Sequence, residues 1–259
     1  MKISVTKLKQ FKACRKSYEF KYVEGLEPVK KAEVLETGEN YHKKLELLYR
    51  TGELDTSDFS KESAMATAYK KYIYPHFHMN VVEEWLEKDF GEHTLIGRID
   101  GMTDDGTLVE HKSTSMDIGA EYEYNLQWDE QILAYMLLSN TRKIYYTVCK
   151  KPTIRLKKDE TEEQFFNRMV EWYDSETESK IRLIEIHRTD KEVFDFASDL
   201  SSVIAEMESC NNFYRNTLHC FRFGRQCEYA SICLNYDPSQ NYIEFEKREE
   251  SKNAITQIG

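Results

Sequence analysis

Apolar and polar residues alternate through the middle of the chain and recur at helical spacing on both sides of it. Period-two alternation predicts strands over about 81–90, 94–102, 107–112, 143–149, 153–157 and 181–188. Helical spacing predicts a short helix over 4–22 and helices over about 32–50, 59–75, 122–139, 160–177 and 190–211. Strands interleaved with helices argue for an α/β protein with a mixed central sheet flanked by helices. Between two of the strands, Asp104-Asp105-Gly106 is a turn signal, since Gly106 tolerates positive φ. A hairpin closed there pairs 103 with 107 and 100 with 110. The 259 residues include only four prolines and ten glycines, so a single domain over 1–259 is expected. Its parts are a helical cap at about 30–80, a core at about 81–211 and a solvated, charged tail at about 244–259.

The hairpin carries the candidate chemistry. Gly97-Arg98-Ile99-Asp100 lies on one strand and Leu108-Val109-Glu110-His111-Lys112 on the other. In the expected register Asp100 sits opposite Glu110, with Cβ atoms roughly 5 Å apart. Two carboxylates that close repel unless a cation lies between them. Glu110 and Lys112 share a face while His111 points away. Oxygen ligands of this kind suit Mg²⁺ or Mn²⁺, with Lys112 placed to hold an attacking water or offset charge on a phosphate. The Glu-x-Lys triplet alone is uninformative, because it recurs at Glu19–Lys21, Glu178–Lys180 and Glu250–Lys252. Its apolar approach through Leu108 and Val109 and the upstream aspartate set this copy apart.

These residues resemble the PD-(D/E)XK nuclease superfamily, specifically its RecB-like branch, which includes the AddB nuclease and CRISPR-associated RecB-like exonucleases. The resemblance runs from about Ser4 to Tyr236. An opening segment with Cys14, Tyr18 and Tyr22 is similar to the family's first helix. Gly38-Glu39-Asn40-Tyr41-His42 matches a Gly-x-x-x-His motif, which makes His42 a third protein ligand to metal beside Asp100 and Glu110. In relatives the carbonyl after the glutamate, here that of His111, also touches metal. Gln131-Ile132-Leu133-Ala134-Tyr135 matches a Gln-x-x-x-Tyr motif, implying that Gln131 and Tyr135 position the DNA strand and the catalytic Lys112. Spacing of four places both on one helix face. The resemblance implies a restriction-endonuclease-like core and a metal-dependent deoxyribonuclease, an exonuclease on single-stranded or frayed ends in DNA recombination, repair or processing. The competing class is a non-catalytic DNA-end-binding accessory subunit that keeps the fold.

Six cysteines occur, at 14, 149, 210, 220, 227 and 233. RecB-like nucleases with an iron–sulfur cluster take one cysteine before the core and three after it. The resemblance therefore implies a [4Fe-4S] cluster on Cys14, Cys220, Cys227 and Cys233, stapling the two ends of the chain, with zinc as the alternative. The first gap in the final triplet departs from the usual spacing, leaving Cys210 or His219 as substitutes for Cys220. Cys149, in an apolar strand, is expected in the core.

The net charge of −10 is unusual for a protein that binds nucleic acid. Basic residues do cluster locally, at Lys7, Lys9, Lys12, Arg15 and Lys16, at Lys150, Lys151, Arg155, Lys157 and Lys158, and at Arg215, Arg222 and Arg225. With Tyr145, Tyr146, Phe221 and Phe223 nearby, they are candidates for a groove where bases stack on rings. DNA ends are the expected partner. No Gly-x-x-x-x-Gly-Lys-Ser/Thr loop occurs, so a helicase or recombination partner would be a separate polypeptide. No apolar run approaches the roughly 18 residues that span a bilayer, and no secretory signal opens the chain. A cytoplasmic setting follows, that of the host if the protein is virus-encoded.

Overall fold

The computed structural model describes residues 1–29, 33–222, 225–234 and 245–247. The chain divides into two compact units, Met1–Lys2 with Glu33–Ser198, and Ile3–Ala32 with Asp199–Gly259. Phe223, Gly224 and most of the predicted tail lie outside the described residues.

The first unit holds helices α1 (Glu33–Thr51) and α2 (Lys61–Tyr72), then strands β1 (Met79–Phe90), β2 (His93–Thr103) and β3 (Leu108–Thr114). Helices α3 (Ala120–Leu126) and α4 (Glu130–Ser139) lead to β4 (Lys143–Lys150). Helices α5 (Glu162–Trp172) and α6 (Thr177–Lys180) lead to β5 (Ile181–His187). These strands lie in the order β1-β2-β3-β4-β5, antiparallel except for the parallel pair β3 and β4. A parallel pair needs a long crossover, and α3 with α4 supplies it. The result is a mixed sheet with helices packed on it, the restriction-endonuclease-like arrangement.

The stripe Tyr41, Leu45, Leu48 and Tyr49 repeats at helical spacing along α1 and is buried. It packs with Met65, Ala66, Ala68 and Tyr69 of α2 and with Val109 and Cys149 of the sheet. Cys149 is fully buried, as expected for a core thiol, with its Sγ donating to the Tyr173 hydroxyl at 3.4 Å.

Two predicted elements of this unit differ. The single helix over 122–139 is two helices, because Asp129 takes an extended conformation and its side chain accepts from the Gln131 N–H. That cap restarts the helix at Glu130. The strand over 153–157 is absent. Ile154 packs beside Ala64, Phe166 and Met169, while the Arg155 carbonyl accepts from the Arg168 guanidinium at 2.8 Å instead of from a neighbouring strand.

In the second unit the predicted helix over 4–22 is interrupted. Ser4 caps the helix Val5–Ala13, Cys14 is extended with φ −162° and ψ 112°, and Arg15–Tyr18 continues into a π-helical turn at Glu19–Val23. Leu26–Pro28 pairs antiparallel with Phe245–Lys247. Phe20, Tyr229 and Cys233 form a small apolar cluster. The helix Asp190–Ser209 carries the chain from the first unit into the second.

Candidate metal centre

His42 follows the buried Tyr41 on α1, one position round from the stripe that beds this helix on the sheet. Its Nδ1 lies 3.3 Å from an Asp100 carboxylate oxygen and 3.6 Å from Glu83. The β2–β3 ladder pairs Gly101 with Val109 and Met102 with Leu108, the register expected from the turn at Gly106 (φ +79°). Beyond Gly101 the Asp100 side chain takes over, its Oδ2 accepting the His111 N–H at 2.7 Å. Asp100 thus faces His42 with one oxygen while the other is fixed by the neighbouring strand.

Glu110 is 2% exposed. Its Oε1 accepts from the Lys112 ammonium, and its Oε2 is buried with no hydrogen-bond partner among the described residues. Lys112 also donates to Gln131 Oε1 at 3.2 Å. Gln131 Nε2 donates to the Tyr135 hydroxyl at 2.8 Å, and that hydroxyl donates to the Arg98 carbonyl at 2.6 Å. Gly97 makes this chain of bonds possible. A Cβ at 97 would lie 2.8 Å from Leu138 Cδ1 and 2.9 Å from Tyr135 Cε1, so only glycine lets α4 approach the strand this closely. His111 points away into the core, with Nδ1 2.8 Å from the Thr147 hydroxyl and its ring among those of Tyr49 and Tyr69.

The carboxylate that joins His42 and Asp100 most closely is Glu83, which the sequence reading did not single out. Among the described residues, His42, Glu83 and Asp100 are the only three or more His, Cys, Asp or Glu whose ligand atoms lie within 4.8 Å of one another. Glu83 sits within β1 at φ +54°, a left-handed conformation that costs a bulky residue about 1–3 kcal/mol. Its flanks pair regularly, Val82 with Gly101 and Glu84 with Ile99. The alternation of a strand carries no sign of such a residue. The adjacent pair Glu83-Glu84 was the one available hint, since one of two successive strand residues must face inward.

Burial pushes Glu110 up, and the neighbouring Asp100 charge adds to this, so that it reaches about 7 despite Lys112. Burial also opposes charge on Asp100, but the imidazolium of His42 outweighs it and brings Asp100 down to about 2. Burial alone would lower His42, yet Asp100 and hydrogen bonds to Asp100 and Glu83 lift it to about 10. Lys112 is raised in the same way, burial opposing and Glu110 and Asp100 prevailing. Burial lowers His111 to about 3 and keeps it neutral.

The residues fit a divalent cation. Carboxylate oxygens and an imidazole are donors to divalent cations, and the unpartnered oxygen of Glu110 is a buried acceptor that a cation would satisfy. A mixed sheet presents Asp100, Glu110 and Lys112 from a hairpin, and His42 faces Asp100 and Glu83 from a helix. The family model of the PD-(D/E)XK nuclease superfamily matches residues 2–78 and 60–234, and the chain belongs to that superfamily.

A candidate exonuclease from Eubacterium rectale has a similar fold, with a TM-score of 0.54 at 11% identity, covering 93% of this chain and 90% of that one. Weaker likeness extends to a phage-related exonuclease from Haemophilus somnus 129PT (TM-score 0.36, 16% identity, 70% of this chain and 91% of that one). An alkaline exonuclease from Laribacter hongkongensis is comparable (TM-score 0.37, 16% identity, 80% and 88%). The comparison of architecture rests on the first. No curated protein matches the chain. Among the described residues no helix is long and apolar enough to cross a membrane.

The cysteines fall elsewhere. Cys14, Cys220, Cys227 and Cys233, with His219, line one small cavity of the second unit. Cys14 Sγ accepts from the Asn216 N–H at 3.4 Å. Burial raises the thiols of Cys227 and Cys233. Cys210 does not line this cavity; its thiol donates to the Asn212 carbonyl at 3.6 Å. Several of the basic residues proposed as a groove are engaged by carboxylates, Arg15 by Glu206, Lys16 by Glu19 and Lys150 by Asp117.

Proposed function

We propose that this chain is a Mg²⁺- or Mn²⁺-dependent deoxyribonuclease of the RecB-like branch, acting as an exonuclease on single-stranded or frayed DNA ends in recombination, repair or processing. The reading is carried by the buried, unpartnered Glu110 oxygen beside Lys112, together with the His42–Asp100 pair, whose charges act on Glu110. His42, Asp100, Glu110 and the His111 carbonyl hold the cation, and Glu83 joins them from β1. When bound, a divalent cation acidifies a water and offsets charge on the scissile phosphate. Lys112 fixes that water and stabilises the developing negative charge. Gln131 and Tyr135 serve by position, since their bonds to Lys112 and to the Arg98 carbonyl leave the ammonium one place to sit. The exonuclease preference rests on likeness to other RecB-like chains.

Labelled single strands incubated with Mg²⁺ or Mn²⁺ test this reading. Lys112→Ala should lower the cleavage rate by about 10²–10³-fold with DNA binding retained, and Asp100→Ala should abolish cleavage. Binding without cleavage by the parent under every divalent metal would favour an accessory subunit instead.

For the second unit the reading is a [4Fe-4S] cluster on Cys14, Cys220, Cys227 and Cys233. Its support is that these four thiols line one cavity while Cys149 and Cys210 do not. No three of them approach within 4.8 Å, whereas Zn–S bonds of about 2.3 Å close a tetrahedral zinc site more tightly than that. Absorbance near 400 nm in anaerobically purified protein would establish iron–sulfur; a colourless protein holding zinc would establish the alternative.

A further inference from the structure

Glu83 lies outside the hairpin, on β1, and an unusual backbone conformation delivers it to the site. A left-handed non-glycine residue in the middle of a twelve-residue strand is uncommon. Beyond a register shift between Met79 and Val81, pairing with β2 keeps one register on both sides of Glu83. The side chain so delivered is only 9% exposed, and its two oxygens face different groups. Oε1 lies 3.6 Å from His42 Nδ1, and Oε2 lies 3.0 Å from Arg98 Nε.

Arg98 is anchored at the backbone by the Tyr135 hydroxyl, while its side chain remains 49% exposed. Glu83 takes its Nε at 3.0 Å. A guanidinium presented in this way is a bidentate phosphate ligand held in check by one carboxylate. A second carboxylate, Glu110, close enough to Asp100 and His42 to interact with their charges, has a buried oxygen with no hydrogen-bond partner among the described residues.

We propose that Glu83 is an exchangeable carboxylate. In the metal-free protein it neutralises Arg98; a divalent cation seated by His42 and Asp100 takes Glu83 over, and the released guanidinium receives a backbone phosphate of the DNA. The inference rests on the metal-dependent nuclease reading and adds an order to it, cation before phosphate. The left-handed residue serves this exchange by placing one carboxylate between two cationic partners. Linkage then requires that cation and DNA strengthen each other's binding through Arg98.

The test is Mn²⁺ binding to the metal-free chain, followed by calorimetry and by the electron paramagnetic resonance signal of free Mn²⁺, without DNA. Glu83→Gln should weaken uptake by about 10–100-fold. Arg98→Gln should tighten it, because Glu83 then has no competing partner. That opposite sign is not what a merely structural role for Arg98 would give. Glu83→Asn, which tolerates the left-handed backbone, replaces Glu83→Gln should the latter fail to fold. With Ca²⁺ as a non-cleaving cation, the parent should bind a labelled single strand at least about fivefold more tightly than without it, and Arg98→Gln should lose most of that gain.

Unchanged Mn²⁺ affinity in Glu83→Gln, or unchanged or weaker affinity in Arg98→Gln, overturns the exchange. Asp100→Asn separates this from failure of the nuclease reading. If it abolishes uptake while Glu83→Gln does not alter it, the exchange alone is wrong. If Asp100→Asn leaves uptake intact, the metal centre itself is misassigned and the exchange falls with it.

Discussion

The metal centre of the first unit and the cysteine cavity of the second both gather ligand-type side chains, but the first balances them without a cation. Glu83, Asp100 and Glu110 stand against Arg98, His42 and Lys112 in direct pairs, and strands β1 to β3 with helices α1 and α4 hold them. Such a site keeps its charges paired without a cation. Around the cysteine cavity the contacts are fewer, with Asn216 accepting from Cys220 Sγ through its carbonyl and donating to Cys14 Sγ through its N–H. The cavity's thiols come from an interrupted helix, a turn and a four-residue helix, Ala230–Cys233, with Cys14 and Cys220 far apart in the chain. Elements that short bury little apolar surface of their own, so a group bound by the thiols would add most to their order.

The sharpest way to break this contrast is to remove one ligand from each region. Cys227→Ser should cost the second unit its chromophore and open it to limited proteolysis. Asp100→Asn should leave the first unit as resistant to proteolysis as the parent. Equal proteolytic sensitivity of the two variants would erase the distinction.

A packing change inside the first unit should come next in size. Gly97→Val puts methyl groups where Leu138 and Tyr135 already lie, and should destabilise the protein by about 1–3 kcal/mol. Because Tyr135 must move, Gln131 and Lys112 lose their support, and cleavage should fall by more than the loss of folded protein explains. Thermal melting alongside initial rates separates the two effects.

The pairing of charges also has a pH signature. Glu110 at about 7 and His42 at about 10 hold protons that a cation must displace. Mn²⁺ affinity should therefore rise between about pH 6 and 8, with proton release visible in buffers of different ionisation enthalpy. The sign for stability is opposite. Folded Glu110 binds its proton more tightly than the unfolded chain does, whose glutamates titrate near about 4.3. Its contribution in metal-free protein is complete below that value and is lost as the pH rises through about 7. The difference in melting temperature between the parent and Glu110→Gln should follow this curve.

The smallest effect expected is that of Asp129→Ala. Loss of the cap at the start of α4 should cost about 1 kcal/mol and loosen Gln131 only slightly, so a modest fall in rate should accompany a modest fall in melting temperature.

The residues that were legible in the sequence are those whose placement follows from local rules. The turn at Gly106 set the hairpin register, and spacing of four put Gln131 and Tyr135 on one face of α4. The buried stripe on α1 is what turns His42 toward the sheet. What escaped is what local rules do not encode. Glu83 depends on one backbone residue departing from its strand, and the break at Asp129 pits a cap against continuing helical periodicity. The segment 153–157 alternates like a strand but gives its hydrogen bonds to Arg168. The family resemblance grouped Cys14 with Cys220, Cys227 and Cys233, which line one cavity, while the extended conformation of Cys14 that interrupts its helix follows from no local pattern.

The most direct test of the central claim is the anomalous difference map of crystals soaked in Mn²⁺. The account expects a peak within bonding distance of Asp100 and His42, with Glu83 or Glu110 completing its ligands. A peak elsewhere in the molecule, or none at saturating Mn²⁺, would contradict it.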